Sequence, residues 1–278
     1  MKRFLHASII AVILGLFALM HPTTGTAQPR GYDNDSLIWA MERKSQCIPK
    51  ISFWKTWFFT AGAGFQIGGS SPIPMPRPIR KVESFNPLLC LSLEVQARKL
   101  IGNSAHWTAI IGLRFEQKGM RTKASVKGYH MEMTADDGGY MEGVWTGHVK
   151  THVRNSYLTI PLLANYQISD RWSVHAGPYV SLLLDGNFNG EAYDGYLRHH
   201  DPTGEKAYVT HATYDFGDDL RRWIWGVQMG TAYHFKPHLE ATAQLTWGVN
   251  NIFKKDFNSI SFALYPIYAR IGLNYFFF

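Results

Sequence analysis

Four groups of residues in this chain carry side chains that can do chemistry, and each points to a different activity. His106-Trp107-Thr108 and His211-Ala212-Thr213 set an imidazole two residues from a hydroxyl, the pairing that general-base activation of a nucleophile needs. Threonine is the weaker nucleophile, and no His-x-Ser follows residue 27. His199, His200 and His211 share one stretch with Asp194 and Asp201, a donor set suited to Zn²⁺ or Cu²⁺. Nothing in their spacing fixes a coordination geometry, so no catalytic residue, metal or cofactor is assigned. A third group is basic: Arg77, Arg80, Lys81, Lys118, Arg121, Lys123, Lys150, Arg154, Arg221, Arg222, Lys254 and Lys255. The fourth, Glu94, Arg98, Arg114, Glu116, His175, Glu240 and Arg270, mixes both signs within otherwise apolar segments.

What these groups can do depends on the elements that hold them. Eight segments alternate apolar and non-apolar residues with period two: Trp57–Gly68, Leu88–Lys99, His106–Lys118, Tyr157–Ile168, Arg171–Asp185, Trp223–Phe235, Leu239–Asn250 and about Ser259–Phe278. Leu239, Ala241, Ala243, Leu245, Trp247 and Val249, set against Glu240, Thr242, Gln244, Thr246, Gly248 and Asn250, are the clearest case. Such alternation specifies strands. Pro266 is expected to mark a bulge or a register change in the last of them.

The apolar faces are flanked by aromatic residues. Trp57 and Phe65, like Trp107 and Phe115, are eight residues apart on one face. At about 3.3 Å per residue and a tilt of about 45°, that separation spans roughly 19 Å of membrane normal, close to the ~25 Å apolar band of outer-membrane barrels. A final strand ending Asn274-Tyr275-Phe276-Phe277-Phe278 would be an aggregation-prone edge unless it closes on the first strand. The aromatic content of 14%, 25 glycines and only 18% charged residues suit two-faced strands, as does a mean hydropathy of −0.16.

Met1-Lys2-Arg3, the apolar run Ile9–Met20 and Gly25-Thr26-Ala27 read as a secretory signal peptide cleaved before Gln28. The first cysteine is Cys47, which argues against lipidation at the cut. The expected organisation is a signal peptide over 1–27, a periplasmic segment over 28–52 with a short helix near Asp35–Lys44, and a barrel over 53–278. Short connections near Ile101–Ser104, Ser169–Asp170 and Lys236–Pro237 alternate with long ones at Gly69–Pro87, Gly119–Ser156 and Gly186–Leu220. Periplasmic turns and outward loops alternate in that way. The fold expected is therefore all-β: an eight-stranded antiparallel transmembrane β-barrel of the outer-membrane type.

An eight-stranded barrel is just wide enough for its own side chains to fill. Glu94, Arg98, Arg114, Glu116, His175, Glu240 and Arg270 are accordingly expected to form a polar network inside it. Lys118, Arg121, Arg154, Arg221, Arg222, Lys254 and Lys255 are expected on an outward rim that can meet lipopolysaccharide phosphates or an acidic partner. Asp136, Asp137, Glu142, Asp218 and Asp219 share those loops. The formal charge of +7 falls to about +5 once Lys2 and Arg3 leave, which gives no case for nucleic acid. Pro72, Pro74, Pro76 and Pro78 are expected to stiffen an extended arm. Cys90 is expected to face the lumen, far from Cys47, leaving two free thiols.

Tyr157-Leu158-Thr159-Ile160-Pro161-Leu162-Leu163 and Arg171–Ser181, with its Gly177-Pro178-Tyr179, resemble signatures of the PorT-like outer-membrane barrel family of Bacteroidota. Glu116-Gln117-Lys118-Gly119 and Trp247–Ile252 look like its third-strand end and penultimate loop. The resemblance covers roughly Trp57 to Phe278 and implies a barrel of the bacterial outer membrane. Some members of the family are implicated in type IX protein secretion, so envelope or secretion proteins are implied as partners, beside outer-membrane lipid. The expected function is non-enzymatic, structural or partner-binding, through loops and the periplasmic segment. A lipid A-modifying enzyme or a small-ligand uptake barrel is the alternative.

Overall fold

The protein is described by a computed structural model that covers residues 57–101, 106–135, 138–198, 204–257 and 259–277. The expected signal peptide, the 28–52 segment with its short helix, Cys47, His199, His200 and Asp201 lie outside the described residues.

Eleven strands occur among the described residues: β1 (Trp57–Pro72), β2 (Ile79–Pro87), β3 (Cys90–Leu100), β4 (Trp107–Ala135), β5 (Tyr140–Gln167), β6 (Trp172–Asp185), β7 (Phe188–Arg198), β8 (Lys206–Asp215), β9 (Trp223–Lys236), β10 (Leu239–Gly248) and β11 (Leu264–Phe277). The count of eight expected from sequence is thereby corrected. Antiparallel pairing runs β1-β3-β4-β5-β6-β9-β10-β11 and returns to β1, where Phe59 to Pro72 align with Phe277 to Leu264. Closure leaves neither terminal strand with a bare edge. β2, β7 and β8 lie outside this ring, paired to β4 and β5 beyond it.

The difference arises in the stretches read as long loops. β4 has 29 residues and β5 has 28, whereas about 9–11 suffice to cross a membrane. Both strands continue past the ring at its distal end, opposite Trp57 and Phe277. There β2 adds to β4, β7 adds to β5, and β8 adds to β7. The tip of β4 bends back so that Thr134 pairs with Thr213 of β8. The proline-rich arm is corrected too: Pro72 ends β1, Pro87 ends β2, and residues 73–78 form the turn between these strands.

One irregularity in β4 re-phases the strand for the distal roll. Up to Val126 the even residues of β4 point inward, with Met120, Ala124 and Val126 buried. A bulge between Lys127 and Tyr129, with Gly128 at φ +70°, shifts the phase by one residue. Beyond it the odd residues Met131 and Met133 are buried instead. Glycine adopts this left-handed conformation without the Cβ penalty. These residues join Trp145, Val149, Val153, Ala192, Leu197, Val209 and Ala212 in one apolar core. Phe188, Phe216, Phe253 and Phe257 cluster beside them, Phe253 and Phe257 stacked with centroids 4.4 Å apart and the other contacts edge-on or tilted.

The ring itself is apolar outside and polar inside. Phe65, Leu91, Leu113, Ile160, Val180, Leu245 and Ile271 are exposed on its outer wall. Rings gather at the proximal end, with Trp107–Tyr166 and Trp172–Tyr233 centroids 4.9 and 4.8 Å apart. Trp223, Trp225 and Trp247 are exposed toward the distal end. A continuous apolar belt bounded by aromatics is the surface that a bilayer solvates. Pro266 pairs with Ser70 without a register shift, against expectation, because it lies beyond the last β10–β11 residue pair, Trp247–Ile267.

Candidate functional site

Period two carries the charges into the ring: Ser92, Glu94, Gln96 and Arg98 on β3, Arg114, Glu116 and Lys118 on β4, Glu240 and Gln244 on β10, Arg270 and Asn274 on β11. Near the proximal end, Arg98 donates two hydrogen bonds to Glu240, at 2.8 and 2.6 Å. Asn274 and His234 approach the same carboxylate, each at 3.0 Å. At mid-height Arg114 donates to Glu94 at 2.8 Å, Gln244 at 2.9 Å and Gln228 at 3.1 Å. Arg270 donates to Ser92 at 2.7 Å and lies 3.1 Å from Glu94. Higher still, Glu116 accepts from Thr159 at 2.8 Å and pairs with Lys118 at 2.7 Å.

Glu94, Arg98, Arg114, Glu116, His175, Glu240 and Arg270 all lie inside the ring, none more than 7% exposed. Small residues make the room. A Cβ on Gly230 would come within 2.6 Å of His175 Nε2, and one on Gly272 within 3.1 Å of Arg270 Nη2. Buried charges persist where each is paired and hydrogen-bonded, and among the described residues the gap between Gln96, Arg98, His175 and Gln244 has no room for a water molecule. Planar-bilayer recordings of the purified protein are expected to show no discrete conductance; a stable open level would contradict the packing described.

Lys118 is a correction: it is not on the outward rim. Its residue is 2% exposed, and its Nζ sits 5.2 Å from the Tyr157 ring, 5.4 Å from Tyr179 and 5.5 Å from Tyr268. Its side chain shares the inward parity of Arg114 and Glu116. The segments that carry the family resemblance converge here, because Tyr157, Thr159 and Tyr179 surround Glu116 and Lys118. Pro161 and Tyr179 are cross-strand partners, after which the β5–β6 register resumes at Ala164–Ala176. Pro161 and Pro178 have no N–H to give this part of the ladder.

The remaining rim residues do not form one patch. Arg221 is held by the carbonyls of Asn251 and Phe253 at 3.1 and 3.2 Å. Lys254 donates to the Asp218 carbonyl at 2.6 Å, while Arg222 and Lys255 are exposed. Arg121 and Arg154 instead share the outward face of the distal sheet, with Arg121 opposite His152 and Gly119 opposite Arg154. Lys123 and Lys150 are directly opposed on the same face.

A cavity of about 830 Å³ opens there, lined by Arg121, Lys123, Lys150 and His152 together with Ser84, Asn86, Asn189 and Thr213. Lys150 pairs with Glu191 at 2.8 Å, and this hydrogen bond holds the Glu191 carboxyl below the usual range. Partial loss of hydration, then the Arg121 and Arg154 charges, hold the His152 imidazole below its ordinary value. The rest of the lining, which includes the Glu191 and Asp215 carboxylates, was not seen in the sequence, since it assembles only through the registers of the distal strands. Asp194 and His211 fall on β7 and β8. Among the described residues no three His, Cys, Asp or Glu side chains gather as a metal site. Cys90 is a buried free thiol.

The sequence profile of a family described as outer membrane protein beta-barrel domain matches residues 39–254. Comparison with curated protein sequences gives no match. Among solved structures, the attachment invasion locus protein Ail of Yersinia pestis is similar at 8% identity and a TM-score of 0.33, over 80% of this chain and 99% of that one. Neisserial surface protein A is similar at 13% identity and a TM-score of 0.30, over 80% and 97%. The translocator domain of the autotransporter NalP from Neisseria meningitidis is similar at 13% identity and a TM-score of 0.24, over 87% and 95%. With its closed ring, lipid-facing belt and matching profile, the chain belongs to the outer membrane protein beta-barrel domain family and resides in the bacterial outer membrane.

Proposed function

We propose that the protein is a non-enzymatic, PorT-like barrel of Bacteroidota, exported with a cleaved signal peptide, that binds envelope partners through its distal sheet on the outer surface. The observation that carries this reading is the division of labour between the two ends. Within the ring the lumen is filled by its own ion pairs, whereas β2, β4, β5, β7 and β8 build a folded, solvent-facing sheet around a separate apolar core. Loops that served only to join strands would not need such a core. A rigid sheet presents side chains with less ordering cost than a flexible loop would.

The test is an allele in which the β7–β8 hairpin is replaced by a short turn. Heat-modifiable gel mobility is expected to persist, reporting an intact ring, while the cells take on the envelope phenotype of the deletion strain. Full complementation by the shortened allele would overturn the reading.

A further inference from the structure

The cavity on the outward face of the distal sheet has a chemistry more specific than a general partner surface. We propose that it is a binding site for a phosphate-bearing saccharide, with Arg121 and Lys123 of its lining, and Arg154 beside it on the same face, receiving the phosphates. The proposal rests on the partner-binding reading above and names the ligand class of that same face.

Five observations converge. Arg121, Lys123 and Arg154 are exposed, and no carboxylate of the described residues lies within ion-pair distance of them. Lys123 stands directly across the strand pair from Lys150, and like charges so placed oppose folding. Glu191, 2.8 Å from Lys150, offsets part of that repulsion, and a bound anion offsets the rest. The rest of the lining mixes the hydroxyl and amide groups of Ser84, Asn86 and Thr213 with the carboxylates of Glu191 and Asp215, donors and acceptors that suit a ligand rich in hydroxyl groups. The volume of about 830 Å³ falls in the range of small-ligand sites.

Height is the fifth. Arg154 lies opposite Gly119, four residues beyond Phe115 on β4, and Lys123 lies eight beyond it. At about 3.3 Å per residue and a tilt of about 45°, the cations stand roughly 9 to 19 Å above the last belt aromatic. That is the layer of headgroup phosphates and the first sugars on them.

The experiment uses the full folded protein in detergent and reads affinity by calorimetry. Its probes are whole lipopolysaccharide, the phosphorylated core oligosaccharide released from it by mild acid, and the same oligosaccharide after phosphatase treatment. The variant R121Q/K123Q/R154Q changes exposed side chains only, and heat-modifiable mobility verifies its fold. R222Q/K255Q removes two exposed cations elsewhere on the distal end as a control for net charge.

The expected result is binding of the phosphorylated probes that weakens about tenfold or more in the triple variant, but stays unchanged in the control and is lost on dephosphorylation. Binding of the released oligosaccharide would mean a ligand in free saccharide form. Binding of whole lipopolysaccharide alone, still lost in the triple variant, would mean the membrane's own lipid. Equal affinity of the triple variant and the wild type, or of phosphorylated and dephosphorylated oligosaccharide, would overturn the proposal. Such a result, beside a shortened β7–β8 allele that still fails to complement, would remove this site and leave the partner reading standing. Complementation by that allele would remove the partner reading whatever the cavity binds.

Discussion

Replacing Arg114 with methionine is expected to destabilise the barrel by about 3–5 kcal/mol, because a buried charge that loses its partner is left uncompensated. Arg114 is fully buried and donates to Glu94, Gln228 and Gln244, with Glu116 at 3.8 Å. In the variant Glu94 keeps Arg270 and Glu116 keeps Lys118, but both lose the cation that lies between them. Urea unfolding of the refolded protein in micelles, followed by heat-modifiable mobility, measures the change. A loss under about 1 kcal/mol, typical of exposed pairs, would mean that water reaches these groups.

Trp145→Ala is expected to remove about 3–5 kcal/mol from the distal sheet while sparing the ring, by deleting a large buried side chain. Trp145 is fully buried in the distal core, and the space beside it is so tight that a Cβ on Gly147 or Gly195 would come within 2.7 Å of its ring. Limited proteolysis of proteoliposomes should cut the variant within β4–β5 or β7–β8 much faster than wild type. Its gel mobility before and after boiling should not change. Simultaneous loss of the ring would show that the two cores unfold as one cooperative unit.

How far the sequence disclosed these features depended on what solvates each face. Strands of the ring are legible because lipid demands an apolar outer face and the filled lumen takes polar residues, giving alternations as strong as Leu239–Asn250. The distal strands obey the same period but place water-facing residues outside, such as Arg121 and Lys123, and small or flexible ones inside, such as Ala124 and Met131. Those segments therefore read as polar loops. The phase change at Gly128 hides the pattern further, since neither parity is apolar along the whole of β4.

The charged interior was legible from parity alone, and parity also puts Lys118 beside Arg114 and Glu116. Its assignment to the rim followed from its position late in the strand, not from the face it occupies. The cavity could not be read, because Asn86, Arg121, His152 and Asn189 become neighbours only through registers that no short-range pattern encodes.

The stacking of two unlike interiors constrains the order in which the molecule can be made. A rolled sheet with Trp145 at its centre is far wider than a lumen that arginine and glutamate side chains already fill. With the distal end outward, as proposed above, the segments that become β7, β8 and the outer halves of β4 and β5 would have to cross as unfolded chain, before β11 aligns with β1. Once Arg98 has reached Glu240, which is 142 residues away in sequence, the folded cap can no longer be drawn back. Assembly in that orientation would be a one-way insertion, with the apolar roll formed outside and the charged bolt closed behind it.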